Sequence, residues 1–189
     1  MASNSRRRLP RPAPADYPHP ALALALVVAL LALFVALRVP RQILRQPDAA
    51  AAEQLYAIAL PDAQGHVQAL AQWRGKLLVV NFWATWCAPC VAEMPELDRL
   101  ERQYAPRNVA IVGVGVEDAQ RVRQFRDRLG LHMPLLVGGY EAVSLARNFG
   151  DIQGVLPYTA LLSTKGEVLR SKAGALDPGE LQEWVSAVQ

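Results

Sequence analysis

The stretch "NFWATWCAPC", residues 81–90, holds both cysteines of this 189-residue chain and two of its four tryptophans. It continues "LLVV", residues 77–80, so 77–84 form a short apolar run rich in β-branched and aromatic residues. That is the pattern of a strand buried on both faces. From Pro89 to about Tyr104, Val91, Met94, Leu97 and Leu100 recur at helical spacing with charges between them. The cysteine pair therefore falls where a buried strand ends and a helix begins.

A helix N-terminus stabilises a thiolate through its free N–H groups and its dipole. Cys87, at the helix start, is expected to be the exposed nucleophile, and Cys90, one turn in, the buried resolving thiol. Pro89 is tolerated in the first turn because the N–H it lacks would be unpaired there. A Cys-x-x-Cys ring is too small to be an effective staple, so a bridge here is chemical rather than structural. The rival is a thiolate metal site. Zinc or copper(I) would need further ligands, and no third cysteine exists; His66 and His132 are distant in sequence, although Met94 lies four residues past Cys90. An inert pair of core cysteines fits poorly with a turn between strand and helix.

Outward from the motif, "LYAIALPDAQGHVQALAQWRGK" (55–76) reads as two short strands around a turn at Gly65, with His66 beside it. Downstream, "NVAIVGVGV" (108–116) is a second buried strand and "EDAQRVRQFRDRLG" (117–130) a helix closed by Gly130. "MPLLV" (133–137) is a short strand and "EAVSLARNFG" (141–150) a short helix. "YTALLS" and "EVLRSKA" flank a hairpin turn at Thr164–Gly166. "DPGELQEWVSAV" (177–188) is a terminal helix, with Asp177 expected as N-cap and Pro178 in its first position. Alternating strands and helices, then a hairpin and a last helix, give an α/β class: a mixed central sheet with helices on both faces.

Residues 21–37 are uncharged throughout. A helix of that length covers roughly 26 Å, near the lower limit for crossing a bilayer, and it has no polar stripe such as a buried core helix would show. Its end, "RVPRQILRQP", offers no small-residue cleavage site, so a retained anchor is expected over a cleaved signal. The resulting organisation is a basic, Pro-rich tail over 1–20, a transmembrane helix over 21–39, a linker over 40–52 and one domain over 53–189; the tail is expected to be cytoplasmic, although arginines on both sides of the span leave its orientation close to a draw by charge. Seven of the 20 basic residues precede position 49, and from Ala49 onward 13 basic residues face 15 acidic ones. The basic character belongs to the tail, and the folded part has no charge case for nucleic-acid binding.

"VNFWATWCAPC" (80–90), then Glu93–Pro95, then "GVLPYT" (154–159), resemble the thioredoxin superfamily, and more narrowly the membrane-anchored TlpA/ResA-like thiol–disulfide oxidoreductases. The resemblance covers about residues 52–189. It implies a thioredoxin fold with an N-terminal strand extension and a central insertion. It also implies a domain in the periplasm or other extracytoplasmic space, held by a single pass through a bacterial inner membrane. Pro157 matches the family's cis-proline, which leaves the backbone of Leu156 free to pair with an extended substrate; Trp86 matches the exposed active-site surface. Glu93 matches an acidic residue that could relay a proton to or from Cys90, since i and i+3 share a helix face. Asn81 departs from thioredoxin's buried aspartate at that place.

The function implied is that of a reductase of protein disulfides, with no cofactor beyond the Cys87–Cys90 dithiol and no metal. The Ala88–Pro89 dipeptide lacks the histidine of strongly oxidising relatives, so a potential towards thioredoxin's, roughly −270 mV, is expected rather than DsbA's, near −120 mV. The partners implied are disulfide-containing proteins, for example in cytochrome c or copper-site maturation, and a membrane thiol carrier of the CcdA or DsbD type as electron donor. The alternatives are a copper-binding metallochaperone on the same fold, and a disulfide oxidant or isomerase. A thiol peroxidase would want Pro and Thr where Val80 and Ala84 stand.

Overall fold

The structure, a computed structural model, describes residues 24, 27–31, 47–177 and 179–188. The expected tail and most of the expected span and linker lie outside them. Residues 27–31 are helical, and no helix among the described residues is long and apolar enough to cross a membrane.

From residue 47 the elements run α1 (Pro47–Tyr56), β1 (Ala59–Pro61), β2 (Val67–Ala69), β3 (Leu77–Trp83), α2 (Ala88–Tyr104), β4 (Val109–Gly115), α3 (Ala119–Leu129), β5 (Leu135–Val137), α4 (Gly139–Asn148), β6 (Tyr158–Leu162), β7 (Val168–Ala173) and α5 (Glu180–Ser186). β1 and β2 form a hairpin, and the other five strands form one sheet in the order β5-β4-β3-β6-β7. β3 is parallel to β4 and antiparallel to β6.

All seven residues of β3 are buried, as are all seven of β4, which accounts for their unbroken apolar runs. The two-residue period of β3 divides its side chains between two cores. Leu78, Val80 and Phe82 pack with Leu55 and Tyr56 of α1 and with Ala142, Leu145 and Ala146 of α4. Leu77, Val79 and Trp83 pack with Met94, Leu97 and Leu100 of α2, Val122 and Phe125 of α3, and Leu181 and Val185 of α5. Asn81 has the parity of the second set, so the strand's own geometry turns it towards α2.

Boundaries differ from the sequence reading at several elements, α4 for instance running over Gly139–Asn148 rather than 141–150, and two of the differences have a plain physical reason. Residues 47–52, expected as the end of a linker, are the opening turns of α1. An alanine run is as good a helix former as a spacer, and this one carries Ala52, Leu55 and Tyr56 into the first core. The terminal helix starts at Glu180 rather than at position 178, after Gly179 at φ 86°. Asp177 does not cap it through its side chain: that carboxylate accepts from Lys172 Nζ at 3.0 Å, while its backbone N–H donates to Glu180 at 2.9 Å. Pro178 lies outside the described residues.

Candidate active site

Parallel pairing sets Trp83 beside Gly115, and Gly115 beside Val137, while antiparallel pairing sets Phe82 beside Tyr158. The carboxyl ends of β3, β4 and β5 and the entry to β6 therefore meet at one edge of the sheet, where α/β folds place their ligands. The cysteine motif leaves β3 at that edge. Residues 155–157 enter β6 there.

Cys87 and Cys90 form a disulfide, so the structure is the oxidised form. Cys87 is the N-cap of α2, and its Sγ accepts the backbone N–H of Cys90 at 3.3 Å, with Pro89 in the first turn. The same N–H is available to stabilise a Cys87 thiolate once the bond is reduced. The expected contrast in exposure is narrower than the sequence suggested. Cys87 is 6% exposed and Cys90 0%, because both sulfurs sit in the second core against Trp83, Ala84 and Met94. Cys87 is still the one solvent reaches. Trp86, beside it, is 64% exposed.

The Leu156–Pro157 bond is cis. The Pro157 carbonyl accepts from Gly174 N at 2.8 Å, whereas Leu156 has no backbone hydrogen bond among the described residues. The approach to this bond is fixed from below: buried Asp151 accepts Val155 N at 2.9 Å, and the Tyr158 hydroxyl donates to the Phe149 carbonyl at 2.6 Å.

Glu93 sits one turn beyond Cys90 and is half-buried. Its Oε1 accepts from Asn81 Nδ2 at 2.8 Å and its Oε2 from Leu176 N at 3.1 Å. Burial pushes this carboxyl above the ordinary carboxylate range, against the opposing pull of the Leu176 N–H, the Asn81 amide and the Lys172 charge. Asn81 is wholly buried, and its amide also donates to Thr159 Oγ1 at 3.0 Å across the β3–β6 pair. The residue that departs from thioredoxin's aspartate is thus a holder of Glu93 rather than a bystander. Thr159 had no signal in the sequence beyond its place after the proline. Its role comes from strand register, which a single sequence does not reveal.

Glu117 was also invisible to sequence reasoning. It is buried at the end of β4, where Oε1 accepts the Thr85 N–H and Oε2 the Thr85 hydroxyl at 2.8 Å. Thr85 precedes Trp86 and Cys87, so a carboxylate anchors the loop that leads into Cys87. Among the described residues, no group of three or more His, Cys, Asp or Glu side chains comes together that could hold a metal ion.

The Redoxin family profile matches residues 47–187. The thiol-disulfide oxidoreductase ResA of Geobacillus kaustophilus is 34% identical over 131 residues, covering 69% of this chain and 73% of that protein. The ResA of Oceanobacillus iheyensis is 33% identical over 148 residues, covering 78% and 74%. Among solved structures, a thiol:disulfide interchange protein of the thioredoxin family from Chlorobium tepidum aligns with a TM-score of 0.62 at 25% identity, over 69% of this chain and 92% of that one.

Proposed function

The chain belongs to the Redoxin family and, within the thioredoxin superfamily, to the ResA-like thiol–disulfide oxidoreductases, and on that premise we propose that it reduces protein disulfides outside the cytoplasm. The observation that carries the reading is Cys87 at the N-cap of α2 with its sulfur on the Cys90 N–H. With the pair reduced, the Cys87 thiolate attacks one sulfur of a substrate disulfide. A mixed disulfide forms and the other substrate sulfur leaves as a thiolate. Cys90, wholly buried, can be reached only from within. Its thiolate attacks Cys87 Sγ, restores the Cys87–Cys90 bond and releases the second substrate thiol, so two electrons pass to the substrate.

Cys90 must lose a proton to attack and regain one when the pair is reduced again. Glu93, on the same helix face and with a pKa raised by burial, is suited to take and return it. Leu156 presents its backbone to an extended substrate segment, and Trp86 offers it an apolar surface. No cofactor beyond the dithiol enters. Residues 21–39 would anchor the domain to a bacterial inner membrane, facing the periplasm or extracytoplasmic space. A membrane thiol carrier of the CcdA or DsbD type would return the electrons. The substrates that fit are disulfide-containing proteins awaiting cofactor insertion, such as those of cytochrome c or copper-site maturation.

Insulin reduction tests the residue roles. Cys87→Ala is expected to abolish turnover, and Cys90→Ala to accumulate a mixed disulfide on Cys87 visible by non-reducing electrophoresis. A trapped adduct on Cys90 in Cys87→Ala, with none in Cys90→Ala, would reverse the assignment.

A further inference from the structure

Tyr140 is 95% exposed and Trp86 64%, and the two border a single cleft of about 660 Å³. Neighbouring exposed apolar side chains mark interaction surfaces, and Trp and Tyr are among the residues enriched in the hot spots of protein interfaces. The cleft lies at the same sheet edge as Cys87. Val116, next to Glu117, continues β4, and its N–H donates to the Trp83 carbonyl at 3.0 Å; Gly138 donates to the Gly115 carbonyl at 2.9 Å. Those two bonds bring the first turn of α4 to the side of the cysteine motif.

Gly138 makes the approach possible. A Cβ there would lie 2.7 Å from the Ala142 Cβ and 2.8 Å from Val114 Cγ1, so any side chain would push α4, and Tyr140 with it, off the sheet end. The charges around the cleft are mostly acidic. Asp118 and Arg121 pair with each other at 3.3 Å and largely cancel. That leaves the Glu117 carboxylate, held by Thr85, and exposed Glu141. The walls are therefore aromatic and the field is negative.

We infer that the Trp86–Tyr140 cleft is a second arm of the substrate site, taking an apolar side chain of the substrate protein with a basic residue next to it. This rests on the reductase reading and gives it a substrate preference. The substrate's reacting disulfide lies over Cys87, one flank pairs with Leu156, and the other enters the cleft. The acidic wall attracts and orients the basic neighbour, acting on KM rather than on the sulfur chemistry.

The test uses the full chain with dithiothreitol as reductant and two disulfide-cyclised peptides of equal length. One carries Phe-Lys beside its reacting cysteine, the other Ser-Glu. The wild type is expected to favour the Phe-Lys peptide by about tenfold in kcat/KM, mainly through KM, the scale of one well-filled apolar contact plus a rim charge. Tyr140→Ala should bring the ratio of the two peptides to within about threefold. Glu141→Lys should reduce it through the charge alone and remove most of its dependence on salt. Tyr140 is exposed enough that the variant keeps the fold. Equal wild-type turnover of both peptides, or a ratio unmoved by both variants, would overturn the inference while leaving the reductase reading in place. Turnover of neither peptide would overturn both.

Discussion

At Glu93, burial raises the carboxyl pKa while three partners pull it down, and burial wins. The sign for stability comes from that direction. A carboxyl whose folded pKa is raised favours the fold when protonated, and the contribution is lost as pH rises from the ordinary carboxylate range through the raised value. Glu93→Gln removes the titration. The difference in Tm between wild type and Glu93→Gln should therefore move in the variant's favour as pH rises through that window, on top of a constant offset from the loss of one of the two bonds the carboxylate accepts. A pH-independent difference would contradict the assignment. Turnover should fall about a hundredfold in the variant, and lose the limb of its pH profile that Glu93 supplies. Asn81→Asp would set two carboxyls at the 2.8 Å contact now made by an amide, raising one of their pKa values further and shifting that limb to higher pH. Glu93 itself was legible in the sequence, three positions from Cys90 on a helix. Its partners were not: Asn81 reaches it through strand parity and Leu176 through the fold of a distant loop, neither of which has a local sequence mark.

At the scale of elements, the strands were the most legible, because β3 and β4 are buried on both faces and their composition says so. Helix ends were less so. The first part of α1, residues 47–52, reads as a linker and Leu55 and Tyr56 as the start of a strand, because the contacts that stabilise the helix come from elements far along the chain. Leu55→Ala should cost about 2 to 5 kcal/mol in chemical denaturation, as for other buried leucines; a cost near zero would mean that α1 does not pack on the core. α2 carries a second tie that its sequence hides. Buried Asp98 accepts the N–H groups of His132 at 2.6 Å and Met133 at 2.7 Å and pairs with Arg102, fixing the helix to the entry of β5. Burial alone would raise its pKa, but the N–H donors of Met133 and His132 and the Arg102 guanidinium outweigh it and hold the carboxyl below the ordinary range. Its contribution is therefore present above that range and lost as pH falls through the lowered value. Asp98→Asn should narrow the stability gap between neutral and acidic solution, measured as the urea midpoint at each pH. An unchanged gap would mean the tie contributes nothing.

For the whole molecule, one sheet edge gathers what the sequence scatters: a cysteine motif, a proline 67 positions beyond Cys90, a carboxylate at the end of β4 and an aromatic at the start of α4. The cysteine motif and the proline could be recognised as local strings. The gathering of the others depends on parallel register, which is a property of the sheet. Direction of electron flow is likewise a property of the whole dithiol environment. Cys87 has one helix N–H on its sulfur and no histidine between the cysteines, which stabilises its thiolate less than in strongly oxidising relatives. The reduction potential of the Cys87–Cys90 couple, measured by equilibration with glutathione or dithiothreitol and quantified by thiol alkylation, tests the reductase claim most directly. A value towards the thioredoxin end, roughly −270 mV, is expected. A value near −120 mV, where DsbA lies, would make the protein an oxidant and contradict that claim.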